Sequence, residues 1–255
     1  MELPVNRFRQ ALHARALQLG FWCSLASPAA TEALALTGPD WLLIDTEHAP
    51  NELPDVCHHL RAVQAGGAAA IVRPAWNDPV LIKRILDAGA QSLIVPYVQD
   101  AAEAARAVAA TRYPGRGGMR GVAGATRASG YGMIPDYLHR AGDQIAVVVQ
   151  IETAAAVAAL EEIMAVEGVD GIFVGPSDLS ASLGHLGQPD HPEVQAVIDD
   201  IARRAAAAGC AAGILARSAE DARAAIARGY CFVSIGSDLG FLVAGAAARL
   251  RDLRG

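Results

Sequence analysis

Glu152 and Asp178 each close a short apolar run, in AVVVQIE (Ala146–Glu152) and GIFVGPSDL (Gly171–Leu179). Two carboxylates, with water and substrate oxygens completing six-fold coordination, suit Mg2+ or Mn2+. Structural roles compete, since either acid could serve an ion pair and Glu152, before Thr153, could cap a helix. Arg73 follows a third run, in AAIVRPA (Ala69–Ala75). Its planar fork would meet a carboxylate or enolate oxygen at the end of a strand, or else form a salt bridge to Asp45 or Glu47. Of the seven histidines, His48 alone directly follows an apolar run among acids, in WLLIDTEH (Trp41–His48), and an imidazole there would transfer protons near neutral pH. His13, His58, His59, His139, His185 and His191 lie in helical or loop contexts and read as solvated. No Cys/His ligand cluster stands out, which argues against a structural zinc site. Gly175, in the run with Asp178, and Gly236, in a further run, stand at strand ends and would let backbone amides approach an anion.

Other chemistries are restricted by composition. Lys83 is the single lysine among the 21 basic residues. A Walker-type phosphate loop or a Schiff-base mechanism would have to use it. Lys83 falls inside the helical pattern DPVLIKRILDAG, which places its amine outside any barrel. The net charge of −6 argues against non-specific nucleic-acid binding. No apolar run reaches the ~18 residues of a membrane span, and the four cysteines lack C-x-x-C spacing. A soluble, cytoplasmic protein with free thiols and no membrane partner is expected.

The elements that must position these groups recur from end to end. Beside the four runs already quoted stand Phe21–Ser27, Ser92–Val98, Cys210–Ala216 and Cys231–Leu239. Continuous apolarity, rather than alternation, is what strands covered on both faces require. Between them lie Ala/Leu/Arg-rich helical stretches, two of them opening with capping-box pairs, Asp100/Glu103 and Ser218/Asp221. Gly66, Gly89, Gly168, Gly209 and Gly229 end helices where a left-handed residue is wanted. Eight such units over 255 residues predict a parallel (β/α)8 barrel forming one domain over residues 1–255. With 5% aromatics, its core should be built from Ala, Val, Leu and Ile. Asp45, Glu47, His48, Arg73, Gln150, Glu152 and Asp178 then all fall at strand C-terminal ends, where barrels carry their chemistry. The N-terminal ends carry almost nothing ionisable. One connection, including residues 114–140, is long, Gly/Arg-rich and functional or interfacial in character.

The runs LLIDTEHAP (Leu42–Pro50), IVRPAWNDPVLIKRILDAGAQSLIVPYV (Ile71–Val98), QIET (Gln150–Thr153) and FVGPSDLSASLG (Phe173–Gly184) resemble the HpcH/HpaI aldolases, metal-dependent class II pyruvate aldolases. The resemblance covers nearly the whole chain. It implies a barrel whose last helix is exchanged between subunits in a homo-oligomer, a trimer or hexamer. It implies Glu152 and Asp178 as ligands of Mg2+, Mn2+ or Co2+, and Arg73 on the keto oxygen of pyruvate. His48 becomes the proton-transfer residue, paired with Asp87, which composition alone reads as a solvated helix residue. Asp45 and Gln150 line the site, and the Gly175-Pro176-Ser177 turn holds the pyruvate carboxylate through the amides of Gly175 and Ser177. The implied reaction is reversible cleavage of a 4-hydroxy-2-oxo acid to pyruvate and an aldehyde. The run Pro114–Gly124 departs from the resemblance by an extra glycine and a Gly/Thr-rich sequel, so no loop residue is assigned a role. An acyl-CoA lyase of the same superfamily, a Schiff-base aldolase and a non-catalytic barrel are the rival readings. Arg73→Ala is expected to lose turnover yet stay folded, as a strand-end rather than a core residue.

Overall fold

The computed structural model describes residues 1–254 and has a closed barrel of eight parallel strands in sequential order. The strands are β1 (Gln18–Cys23), β2 (Trp41–Asp45), β3 (Ala69–Arg73), β4 (Ser92–Val95), β5 (Ala146–Ile151), β6 (Gly171–Val174), β7 (Ala212–Leu215) and β8 (Phe232–Ser237). They are shorter than the apolar runs at their C-terminal ends, because the polar residues there leave the ladder to line the mouth. The first strand also begins earlier than its run, at Gln18, whose amide donates to Cys231 O at 2.8 Å as β1 and β8 close the barrel.

Helices α1 (Arg7–Ala14), α2 (Pro28–Ala35), α3 (Leu53–Ala62), α4 (Pro79–Asp87), α5 (Ala101–Thr111) and α6 (Tyr137–Arg140) precede β5. After it come α7 (Ala154–Ala158), α8 (Leu160–Met164), α9 (Pro176–Ser182), α10 (Pro192–Ala208), α11 (Ala219–Ala227) and α12 (Asp238–Arg254). Most begin where a side chain accepts from an orphan first-turn amide: Asp100 from Glu103 N at 2.8 Å, Ser218 from Asp221 N at 3.0 Å. Glu103 reaches back only to Gln99 N, so that box is half formed. Gly209 takes the left-handed cap at φ +68, as do Gly89 and Gly229 directly after theirs; Gly168 is also left-handed but lies past the end of α8, in the turn before β6. Gly66 is not left-handed (φ −104); its place against Ala35 O leaves no room for a Cβ, and Gly67 supplies the positive φ instead.

Two cores result. One lies between strands and helices and is built from Ala, Val, Leu and Ile, as composition predicts. The other fills the lumen and holds many of the few aromatics: Trp22, Trp41, Phe173 and Phe232, with Phe8 of α1 plugging the bottom. A lumen ringed by eight strands needs large side chains, and small neighbours make space for them. A Cβ on Gly20 would sit 2.1 Å from the Trp41 ring, and one on Gly213 2.2 Å from the Phe232 ring. The bottom also carries charge that the sequence pattern did not single out. Asp170, just before β6, accepts from Arg9 at 2.9 Å and meets His13 at 2.7 Å, strapping α1 across the barrel.

The long connection packs under the barrel, at the strands' N-terminal end. Tyr113, Ile134, Tyr137 and Ala141 form a small core there, and the wholly buried Arg120 pairs with Asp87 at 2.7 Å and lies over the Tyr113 ring. Lys83 on α4 also packs outside the barrel, against Gly121 of this connection. Helix α12 stands apart: only Asp238 in it is buried, while Phe241, Leu242, Val243 and Leu253 are exposed. No helix among the described residues is long and apolar enough to cross a membrane.

Candidate active site at the barrel mouth

The register brings the polar strand ends together. Asp45 pairs with Arg73 across the last position of β2 and β3, and Ile151 with Val174 across β5 and β6, so Glu152 and Gly175 follow side by side. Both sequence readings of Arg73 hold at once. It stands at the strand end, and it donates Nε to Asp45 Oδ1 and Nη2 to Asp45 Oδ2, each at 2.8 Å. Its Nη1 lies 2.8 Å from Glu47 Oε2, an ion pair too poorly aligned to count as a hydrogen bond. The Trp22 ring lies beneath, 4.4 Å from the guanidinium carbon. The two hydrogen bonds to Asp45 use two of the five N–H donors, leaving one on Nη2 and two on Nη1, the latter beside Glu47, to meet an incoming oxygen.

Glu152 does not cap the next helix; Thr153 does, accepting from Ala156 N at 3.1 Å. Its carboxylate is buried, taking Tyr97 N at 2.8 Å on Oε1 and the Gln150 amide on Oε2. Burial pushes its pKa up to about 7, helped by the negative fields of Asp178 and Glu47 and opposed by the Tyr97 amide. Glu47 is likewise raised, first by burial, with Arg73 pulling the other way. Asp178, in the exposed first turn of α9, acts on both, so it belongs to the same cluster. Glu47, Glu152 and Asp178 thus outnumber the one local arginine, which is already engaged by Asp45. The Oε1 of Gln150 is buried with no partner. An oxygen-rich, under-neutralised cluster of this kind fits a hard divalent cation.

Gly175 makes this arrangement possible. A Cβ there would meet Glu152 Oε2 at 2.7 Å and the Gln150 amide nitrogen at 2.9 Å. Gly175→Ala should therefore displace the carboxylate and weaken divalent-cation binding about 10–100-fold, at a stability cost of about 1–3 kcal/mol. A calorimetric cation titration beside a thermal melt checks both figures; unchanged affinity would remove Glu152 from the cation site. The amide of Gly175 is engaged by Ile151 O at 3.4 Å, and Pro176 has none. Of this turn, only the first-turn amide of Ser177 is left to meet an anion.

The expected pairing of His48 with Asp87 is not made within the chain. His48 is exposed at the mouth, with Glu47 Oε1 3.9 Å from its Nε2. Helix α4 leaves the mouth after β3 and runs down to the start of β4, so its last residue, Asp87, lies at the opposite end of the barrel. There its carboxylate is held by Arg120. Only a second copy of the chain could bring an Asp87 to this His48.

Sequence reasoning missed the support behind Asp45. His59 is not solvated but fully buried, because it lies on the face of α3 turned to the barrel. Its hydrogen positions follow from its partners. Asn51 donates its amide to Cys23 O (3.2 Å) and Asp45 O (2.7 Å), so its Oδ1 must accept from His59 Nε2 at 2.9 Å. His59 Nδ1 then accepts from Thr31 Oγ1 at 2.7 Å. Burial lowers the His59 pKa and keeps the ring neutral. This chain of bonds fixes the β2 terminus that carries Asp45 and, through it, Arg73. Helical spacing does place His59 beside the apolar Val56 and Leu60, the one signal that could have found it. Tyr97, whose amide holds Glu152, sits at φ +56, in the left-handed region; its ring pairs with Trp76 at 5.3 Å, and both are exposed at the mouth.

A closed parallel barrel with its acids, arginine and histidine gathered at the strands' C-terminal ends has the architecture of a (β/α)8 enzyme. The chain belongs to the HpcH/HpaI aldolase/citrate lyase family, whose model matches residues 18–244. It is 49% identical over 248 residues (97% of each chain) to the pyruvate aldolase of Rhizobium etli. It is 50% identical over 244 residues (95% of this chain, 92% of the other) to the 4-hydroxy-2-oxo-heptane-1,7-dioate aldolase of Klebsiella pneumoniae. The solved structure of an HpcH/HpaI aldolase/citrate lyase family protein from Burkholderia cenocepacia superposes with a TM-score of 0.95 at 42% identity, covering 98% of this chain and all of that one.

Proposed function

We propose that this chain is a divalent-metal-dependent aldolase that cleaves a 4-hydroxy-2-oxo acid reversibly to pyruvate and an aldehyde. Carbon–carbon lyase chemistry rests on relatives near 50% identity that are named aldolases. The observation that carries the metal-dependent reading is the under-neutralised cluster of Glu47, Glu152 and Asp178 beside a buried arginine.

Glu152 and Asp178 would hold Mg2+, Mn2+ or Co2+, with Gln150 behind them. Bound there, the cation supplies Lewis acidity to the 2-oxo acid. Arg73 donates free terminal N–H groups to the oxygen that gains negative charge as the C3–C4 bond breaks, and Asp45 and Glu47 keep its fork from turning away. Ser177 N meets the substrate carboxylate. His48 takes the proton of the C4 hydroxyl, the electron pair of the C3–C4 bond stays on C3 as the pyruvate enolate, and the aldehyde leaves. A proton returned to C3 completes pyruvate. Trp76 and Tyr97 offer the departing aldehyde an apolar wall.

Pyruvate release from 4-hydroxy-2-oxo acids should vanish after exhaustive chelation and return with Mg2+, Mn2+ or Co2+. Turnover that persists in fully chelated enzyme would sink the metal-dependent reading, whereas turnover only on acyl-CoA esters would favour the acyl-CoA lyase. Lys83, packed on the outer face of α4 against Gly121, speaks against an imine mechanism. The exposed apolar residues of α12 support a homo-oligomer in which this helix covers a neighbouring copy.

A further inference from the structure

The corner between α9 and α10 gathers His185, His191 and Glu193, whose ligand atoms all lie within 4.8 Å of one another. The sequence had shown no ligand cluster here. The loop's turns create it, with His185 N bonded to Ser180 O at 2.7 Å, Gln188 N to His185 O at 2.9 Å and His191 N to Gln188 O at 2.9 Å. These successive turns fold the chain back so that the two imidazoles lie face to face, 3.5 Å apart and 15° from parallel.

We propose that this corner is a second metal site, separate from the carboxylate cluster in the mouth and selective for a late first-row divalent cation such as Zn2+. The donor set decides the metal: two imidazoles and one carboxylate suit Zn2+, Ni2+ or Cu2+, whereas Mg2+ and Ca2+ prefer all-oxygen sites. Three protein ligands leave a fourth, tetrahedral position to water. His191 Nδ1 is taken by Glu193 N at 3.3 Å, so its Nε2 is the free donor. His185 Nε2 hydrogen-bonds Glu193 Oε2 at 2.8 Å, and the two atoms need separate by only about half an ångström to reach the ~3.3 Å spacing of two ligands on a tetrahedral ion. Glu193 stays ionised, its pKa lowered first by that hydrogen bond, and it has no ion pair with any arginine or lysine among the described residues. The neighbouring Asp190 is engaged by Arg217, which keeps that cation away from Glu193. Stacked rings aim their nitrogens side by side, so metal entry turns one partly exposed ring and replaces the His185–Glu193 hydrogen bond with two metal bonds. Binding would fasten the end of α9, whose first turn carries Asp178, to the start of α10.

The full-length, chelator-stripped protein is titrated with Zn2+ in the presence of millimolar Mg2+, which leaves an imidazole site open. The expected result is one equivalent of Zn2+ bound despite the Mg2+, and tetrahedral Co2+ absorption when Co2+ replaces it. His185→Gln and His191→Gln should each weaken that equivalent by at least about 100-fold, while the metal-free melting temperature falls by only a few degrees from the lost His185–Glu193 bond or the lost His191 cap on α10. Glu152→Gln should leave it intact. Zn2+ binding that is unaffected by both histidine substitutions, or that Mg2+ displaces, would overturn the assignment, as would no binding at all. Aldol activity is read separately, so failure here leaves the reading of the mouth untouched.

Discussion

Arg73→Lys will lower kcat for pyruvate release by about 100–1,000-fold while the protein remains folded. A lysine ammonium keeps the charge but not the fork, so it cannot hold both oxygens of Asp45 and still present two donors upward. Arg73→Ala behaves differently from what a strand-end position suggests. Arg73 is 6% exposed and answers two carboxylates, Asp45 and Glu47, the first of which is buried as well. Removing it leaves Asp45 without a counter-charge, a loss of about 3–5 kcal/mol. For a chain of this size that is a fall in melting temperature on the order of 6–20 °C. The alanine variant, expected from the sequence to stay folded, would do so with a smaller margin of stability, and the lysine variant is the cleaner test of chemistry. Steady-state assays and melts on both variants check this. A lysine variant within about threefold of wild-type kcat would take Arg73 out of the reaction.

Glu152→Gln will abolish cation-dependent activity and at the same time make the metal-free protein more stable at pH 8. Folding raises the Glu152 pKa to about 7. The folded state therefore holds this proton more tightly than the unfolded chain does. The stabilisation is fully present below the ordinary glutamate pKa and is lost as pH rises through 7. Above that pH the metal-free wild type carries a buried anion that costs up to about 3 kcal/mol, and glutamine removes it. The amide also fits: turning Gln150 over lets its unpartnered Oε1 accept from the new side-chain amide, while the Tyr97 amide keeps an oxygen acceptor. Melts of chelated protein should show the variant several degrees above wild type at pH 8 and nearly level near pH 4.5. Adding Mg2+ or Mn2+ should raise only the wild type. A variant no more stable at pH 8, or one that still gains stability from the cation, would contradict this account. The site thus trades folding stability for a place to put charge, a pattern expected of functional clusters.

The uninterrupted apolar runs determined a parallel barrel, because only strands buried on both faces dispense with polar alternation. They also determined on which end the chemistry lies, since Asp45, Arg73, Glu152 and Asp178 each follow a run rather than precede it. Capping residues and helix-ending glycines marked most boundaries because their signals are local. Three things were not legible. The burial of His59 depends on which side of α3 faces the barrel, and its Thr31 and Asn51 partners are distant in sequence. That Arg73 is at once an ion-pair member and a site residue depends on the β2–β3 register. The separation of His48 from Asp87 follows from the direction in which α4 runs. Sequence alone therefore determined which residue types stand at the strand ends and what chemistry they suit. Only the tertiary structure decided which of them meet, because contacts such as those of Arg73, Glu152 and the His185–His191 pair are fixed by strand register and chain reversal, and both are settled by the packing of the whole barrel.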